Sequence, residues 1–147
     1  MQFELDERLK ADTILLASIL EYKILLNKDS RFPWIILVPI VNGLSEMHHL
    51  SYDIQANYLK VSNLMSKVLD HIYSPHKINI ASLGNIVKQL HIHHVARFEY
   101  DEAWPGPIWG VGQAIPYSQT ELEHTCHLFK KTIEDINQGE LNVNYHN

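Results

Sequence analysis

Cysteine is almost missing: Cys126 stands alone among 147 residues. No internal disulfide can staple the fold, and a reducing, cytoplasmic setting is the expectation. Long apolar runs are missing too. No window approaches the ~18 uninterrupted apolar residues that a spanning helix needs, so no membrane association is expected. The opening "MQFELDERLK" has no apolar core of the kind a secretory signal carries. There is no basic excess either: 12 Lys and Arg face 17 Asp and Glu, for a net charge of −5. That argues against sequence-independent nucleic-acid binding, which needs a basic stripe to meet the phosphate backbone. A small phosphorylated ligand stays open, because a few backbone N–H groups and one or two side chains can hold it. No repeat, low-complexity run or linker interrupts the chain. Its length fits one domain, residues 1–147, with one core.

What the chain does carry is a readable order of elements. "LDERLKAD" (residues 5–12) reads as a short charged helix. "TILLAS", "EYKILLN" and "WIILVPI" read as three strands, broken at Leu20 and at "KDSRFP". The connections are too short for crossover helices, which favours antiparallel pairing. Residues 51–73 form the clearest helix: Ile54, Tyr58, Val61, Met65, Val68 and Ile72 recur at helical spacing, behind Ser51 as N-cap and ahead of Pro75. "KINIASL" and "QLHIHHVAR" read as two further strands across a turn at Gly84 and Asn85. Residues 98–117 hold Trp104, Trp109, three prolines and three glycines. A loop of that length is functional or pinned by its aromatics, and pinning is the favoured role here. Ser118 and Glu121 then match a capping box, with Leu122, Phe129, Ile133 and Ile136 as an apolar stripe and Gly139 as the stop. Segregated strands and helices imply an α+β fold. The expected architecture is an antiparallel sheet of about five strands, with one long helix and a C-terminal helix packed on it.

Histidine is plentiful. The chain has ten, seven of them between His48 and His94, and three within four residues: His91, His93 and His94. If "QLHIHHVAR" is a strand throughout, Gln89, His91, His93 and Val95 share one face, about 7 Å apart at alternate positions. Leu90, Ile92, His94 and Ala96 share the other, and His94 reads as a buried, hydrogen-bonded residue. Three uses of the polar row compete. It can be a solvated sheet face. It can hold a metal, with His48, His49, His71 or His76 as a third ligand, although no Cys-x-x-Cys or His-Glu-x-x-His spacing supports that. Or it can act at phosphorus. A neutral imidazole attacks when one nitrogen holds the proton on a backbone carbonyl and the other is bare. A second imidazole then bonds phosphate oxygens, and the Gln89 amide donates to the same region.

"QLHIHHVAR" resembles the signature of the histidine-triad (HIT) superfamily, His-φ-His-φ-His-φ-φ with φ apolar. Gln89, His91 and His93 take the three triad positions, and Arg97 the trailing arginine. The strand region "TILLASILEYKILLNKDSRFPWIILVP" and the order of elements over residues 1–97 match as well, while residues 97–147 follow a branch-specific pattern. The resemblance implies a nucleotide hydrolase or nucleotidyltransferase that passes through a nucleotidyl-histidine intermediate at the α-phosphate. It makes His91 the nucleophile, His93 the residue that orients it or contacts the phosphate, and Gln89 the replacement of the first histidine. Asn27 becomes a ribose contact, and Asn85 a contact to the phosphates or the scissile-bond region. It further implies a homodimer, no required cofactor, and Mg²⁺ only alongside a polyphosphate substrate. "PWI" (residues 33–35) stands where the family commonly has Pro-Gly-His. A nucleotide sensor with little turnover and a metal-dependent enzyme are the alternatives. Asp101 and Glu102 read as a solvated loop pair, and Cys126 as half-buried.

Overall fold

A computed structural model describes residues 2–146. The element order is α1 (Glu7–Asp12), β1 (Thr13–Ile19), β2 (Tyr22–Asn27), β3 (Trp34–Pro39), a 3-10 turn (Met47–His49), α2 (Tyr52–Tyr73), β4 (Lys77–Ala81), β5 (Ile92–Arg97), α3 (Gln119–Asn137) and β6 (Val143–Tyr145). The strands form one six-stranded sheet in the order β4-β5-β3-β2-β1-β6, every neighbouring pair antiparallel. The fold is α+β, as the sequence implies, with one strand more. The extra strand is β6, three residues that pair with Ala17, Ser18 and Ile19. Its residues alone carry no pattern long enough to declare a strand.

Both long helices pack on one sheet face. The strands supply Leu16, Ile19, Ile24, Leu26, Ile35, Leu37 and Ala96 to that core, with the alternation of β1 broken by a register shift between Leu15 and Ala17. Helix α2 answers with Val61, Leu64, Met65, Val68 and Leu69, and α3 with Phe129 and Ile133. The i, i+3, i+4, i+7 spacing of the α2 residues is what lets one stripe face the sheet. Each such side chain contributes about 1.5–3 kcal/mol when fully buried. The Ser51 hydroxyl accepts from the Ile54 N–H, and Ser118 and Glu121 complete the capping box, so both helices begin where the sequence places them.

The opposite face is only partly covered. Leu9 of α1 and the partly buried Phe3 and Leu5 pack on Leu25, Ile36 and Val38. The remainder of that face, over β3 and β5, is walled by residues 98–117, which form turns and no regular element. Two ionic clasps hold this long loop. Arg97, 2% exposed, donates to both Asp101 oxygens, to Asn79 Oδ1 and to the Gly106 carbonyl. Arg31 donates to Asp29, to Glu102 at 2.9 Å and to the Val111 carbonyl at 2.8 Å. Of the pair read as solvated, Glu102 stays 48% exposed while it bonds Arg31, but Asp101 is not solvated. The Asp101 side chain is 5% exposed and also accepts from the Phe98, Ala103 and Trp104 amides. Burial pushes its carboxyl up, but the hydrogen bonds and charge of Arg97 and those amides outweigh it, and the net shift is down. Gly112, at φ 60°, closes the second clasp; a Cβ there would strike Glu102 and Arg31. Trp104 sits beside Arg97, 5.7 Å from ring centroid to guanidinium carbon. Cys126 is half-buried, and burial raises its thiol pKa.

Removing one partner of a buried ion pair strands the other. Arg97→Ala is expected to lower stability by about 3–5 kcal/mol, read as a shift of the urea unfolding midpoint. A change below about 1 kcal/mol would class the pair with ordinary surface bridges.

Candidate active site

Strand β5 begins at Ile92, not at Gln89 as the alternation suggests; its pairing with β3 and β4 runs from Ile92 or His93 onward. Gln89, Leu90 and His91 approach the sheet as an irregular segment. The alternation holds within the strand. His93 and Val95 face the α1 side, while His94 and Ala96 face the helices. His94 is wholly buried. Its Nδ1–H donates to the Ile92 carbonyl at 3.3 Å, so the Ser62 hydroxyl, 2.7 Å from Nε2, is the donor there. Burial lowers its pKa to about 4. His94 is structural.

His91 and His93 stay together. Their ring centroids are 4.9 Å apart and nearly perpendicular, at 77°. His91 Nδ1 lies 2.7 Å from the main-chain carbonyl of Gln89. A carbonyl only accepts, so Nδ1 carries the proton and Nε2 keeps its lone pair. His93 is set the opposite way. The Trp34 indole N–H donates to its Nδ1 at 2.9 Å, which leaves the proton on Nε2. Trp109 closes the other side of the ring at 5.0 Å. Burial first, then the neighbouring imidazoles His91 and His94, bring the His93 pKa down to about 3. The ring is neutral at physiological pH.

Both imidazoles line a cleft of about 360 Å³. Its walls come from α1 (Arg8, Leu9, Asp12), from β3 (Trp34, Ile36) and from the β4–β5 loop (Leu83 to Val87). Asn27 and Asn85 both reach it. Asn27 Oδ1 accepts from the Asp29 amide at 2.9 Å, which is the local turn role its position implies. Asn85 follows Gly84, whose φ of 71° makes the turn. Gln89 does not line the cleft. Its Nε2 donates to the Glu4 carbonyl at 2.9 Å and its Oε1 accepts from the Asp6 amide at 2.8 Å. The side chain expected to donate to a phosphate instead grips the N-terminal segment. Asp6 in turn caps α1 through the Arg8 amide. What Gln89 gives the site is its carbonyl and, through that grip, the placement of α1. Among the described residues no three His, Cys, Asp or Glu side chains gather as metal ligands would.

Arg8 and Asp12 were not legible as site residues, because nothing in a charged six-residue helix says which sheet face it crosses. The role of Trp34 had one signal: it shares a face with His93 once β3 and β5 pair, with Ile36 opposite His93 and Trp34 opposite Val95.

The model of the HIT domain matches residues 9–100. The chain belongs to the HIT domain family. Three solved HIT structures are similar over nearly their whole length. A histidine triad protein from Bradyrhizobium japonicum is 37% identical with a TM-score of 0.88, covering 90% of this chain and 99% of that one. One from Marinobacter aquaeolei is 37% identical at 0.88, covering 92% and 99%. One from Sinorhizobium meliloti is 39% identical at 0.86, covering 88% and 96%. No functionally curated protein matches the sequence. The HIT match ends inside the long loop, so Arg31 and Arg97 lie within the matched region, while Asp101, Glu102 and the other loop groups they hold, with α3 and β6, lie beyond it.

Both His93 and His94 have folded pKa values below the unfolded value of about 6.5. The unfolded chain therefore binds more protons across that interval, and stability falls as pH drops below about 6.5 until both sites are charged. Urea melts from pH 7 to 4 are expected to lose midpoint steadily. Imidazole NMR shifts of these two residues are expected to stay flat from pH 8 to 5.

Proposed function

We propose that this HIT protein is a nucleotide hydrolase or nucleotidyltransferase acting at the α-phosphate of a nucleoside phosphate conjugate. The observation that carries the reading is the His91 Nδ1 to Gln89 carbonyl contact of 2.7 Å, which leaves Nε2 bare beside the cleft. In the first step the Nε2 lone pair forms a bond to phosphorus. The bond from phosphorus to the leaving group breaks, and its electron pair departs with that group. The imidazole becomes positive, and its Nδ1–H bond to the Gln89 carbonyl strengthens with that charge. His93, neutral with its proton on Nε2, suits hydrogen bonding to a phosphate oxygen. In the second step water adds to phosphorus and loses a proton to solvent. The N–P bond breaks, its electrons return to Nε2, and the nucleoside monophosphate leaves. A nucleotidyltransferase would replace the water with another acceptor.

In this reading Asn85 contacts the phosphates and Asn27 the ribose, through the part of its amide not used by the turn. Gln89 acts through its carbonyl. No step requires a metal, and Mg²⁺ would enter only as the counter-ion of a polyphosphate. Two copies of the chain pair as a homodimer in this reading.

The test uses the p-nitrophenyl ester of AMP as substrate. Rapid acid-free quenching and mass spectrometry are expected to find an adenylyl group on His91, and p-nitrophenolate to be released. His91→Ala is expected to abolish both. Gln89→Ala retains the main-chain carbonyl and is expected to keep the adduct, while amide exchange at Asp6 accelerates. Turnover that survives His91→Ala would sink the proposal, and tight AMP binding without adduct would make the protein a sensor.

A further inference from the structure

Two imidazoles face one cleft, yet only one of them presents a lone pair to it. The cause lies in a residue of a different strand. Trp34, the first residue of β3, donates its indole N–H to His93 Nδ1 at 2.9 Å. An indole nitrogen is a donor and nothing else. It can be satisfied here only by a lone pair, and an imidazole has one at Nδ1 only when its proton sits on Nε2. The other neutral tautomer and the imidazolium would each set two N–H groups against one another. Both would also strand a part-buried indole N–H, which is costly where water does not replace the lost partner. Trp34 thus excludes two of the three protonation states of His93.

The packing leaves the ring little freedom to escape. The His93 ring lies 5.6 Å from Trp34 and 5.0 Å from Trp109, and the two indoles meet edge-on at 6.3 Å. His93 is 6% exposed. The burial that pulls its pKa down acts in the same direction as the indole, against the charged form.

We infer that Trp34 is a positioning residue that selects the nucleophile: it ties up the lone pair of His93, so that His93 can only donate to a phosphate oxygen and His91 alone can attack. The inference rests on the nucleotidyl-transfer reading of the site. The two imidazoles are chemically alike and 4.9 Å apart. A backbone carbonyl sets one tautomer and an indole sets the other, so the pair meets a phosphate as one attacker and one donor.

The test needs no substrate in its first arm. The full chain carrying ¹⁵N-labelled His and Trp is expected to show His93 protonated on Nε2 at pH 7, with scalar coupling across the Trp34 N–H···N bond. Trp34→Phe keeps an aromatic ring and removes the donor. His93 in this variant is expected to populate the Nδ1–H tautomer. Its kcat on the p-nitrophenyl ester of AMP is expected to fall about tenfold, the loss of one hydrogen bond's worth of orientation, with KM moving less. A loss of packing alone would not change the tautomer. Wild-type His93 found protonated on Nδ1, or an unchanged tautomer in Trp34→Phe, would overturn the inference. If the variant does not fold, the wild-type coupling decides alone: its presence supports the inference and its absence overturns it. The outcomes separate the two proposals. A missing adduct on His91 ends the nucleotidyl-transfer reading while the tautomer result stands, and an adduct with the wrong His93 tautomer does the reverse.

Discussion

A single hydrogen bond between an imidazole and its own neighbourhood's backbone organises this site. The Gln89 carbonyl, two residues ahead of His91, holds the ring by Nδ1. An imidazole free in water divides its proton between two nitrogens and turns about two torsions. Tied to a carbonyl it keeps one tautomer and one heading, and no side chain is consumed in doing so. The chain at Gln89–His91 runs ahead of the regular ladder, which starts at Ile92. The Gln89 carbonyl meets its ring at 2.7 Å, closer than the 3.3 Å of the like contact that His94 makes to the Ile92 carbonyl within β5.

The scaffold around that bond is polar only where it must be. The helix-side face of the sheet is apolar except at His94, which finds Ser62. The other face carries His91 and His93 and is closed by two added walls: the N-terminal segment, gripped by the Gln89 amide, and the long loop, clasped through Arg97 and Arg31. Neither wall is a regular element of the sheet. Each is fixed by side-chain hydrogen bonds to main-chain groups, which is the means available to segments that cannot use a ladder.

The fold was legible because its signals are local and repeated. Helical spacing over residues 52–73, the capping box at Ser118 and Glu121, and three apolar runs before Asn42 each declare one element. The site was legible through the His-x-His pattern, whose period of two places His93 and His94 on opposite faces, as found. What escaped depends on contacts distant in sequence. Gln89 reaches back 83 and 85 residues to Asp6 and Glu4, so its amide looked free. Arg97 and Asp101 are four apart, yet their burial follows from a loop that folds over them, so Asp101 looked solvated. Strand β6 is made by its partner β1 and by little in its own three residues.

The Ser62–His94 contact has a further meaning for how the chain finds its fold. Adjacent histidines in one strand are a hazard, since sliding β5 by one position would swap His93 for His94 and present a different imidazole to the cleft. The apolar residues around them would tolerate the slide poorly, but Val95 and Ala96 differ little in kind. A serine in the middle of α2 accommodates a polar ring at one position on the inner face and nowhere else on its stripe. It works as a key in a lock, rejecting the misaligned sheet before any chemistry is at stake.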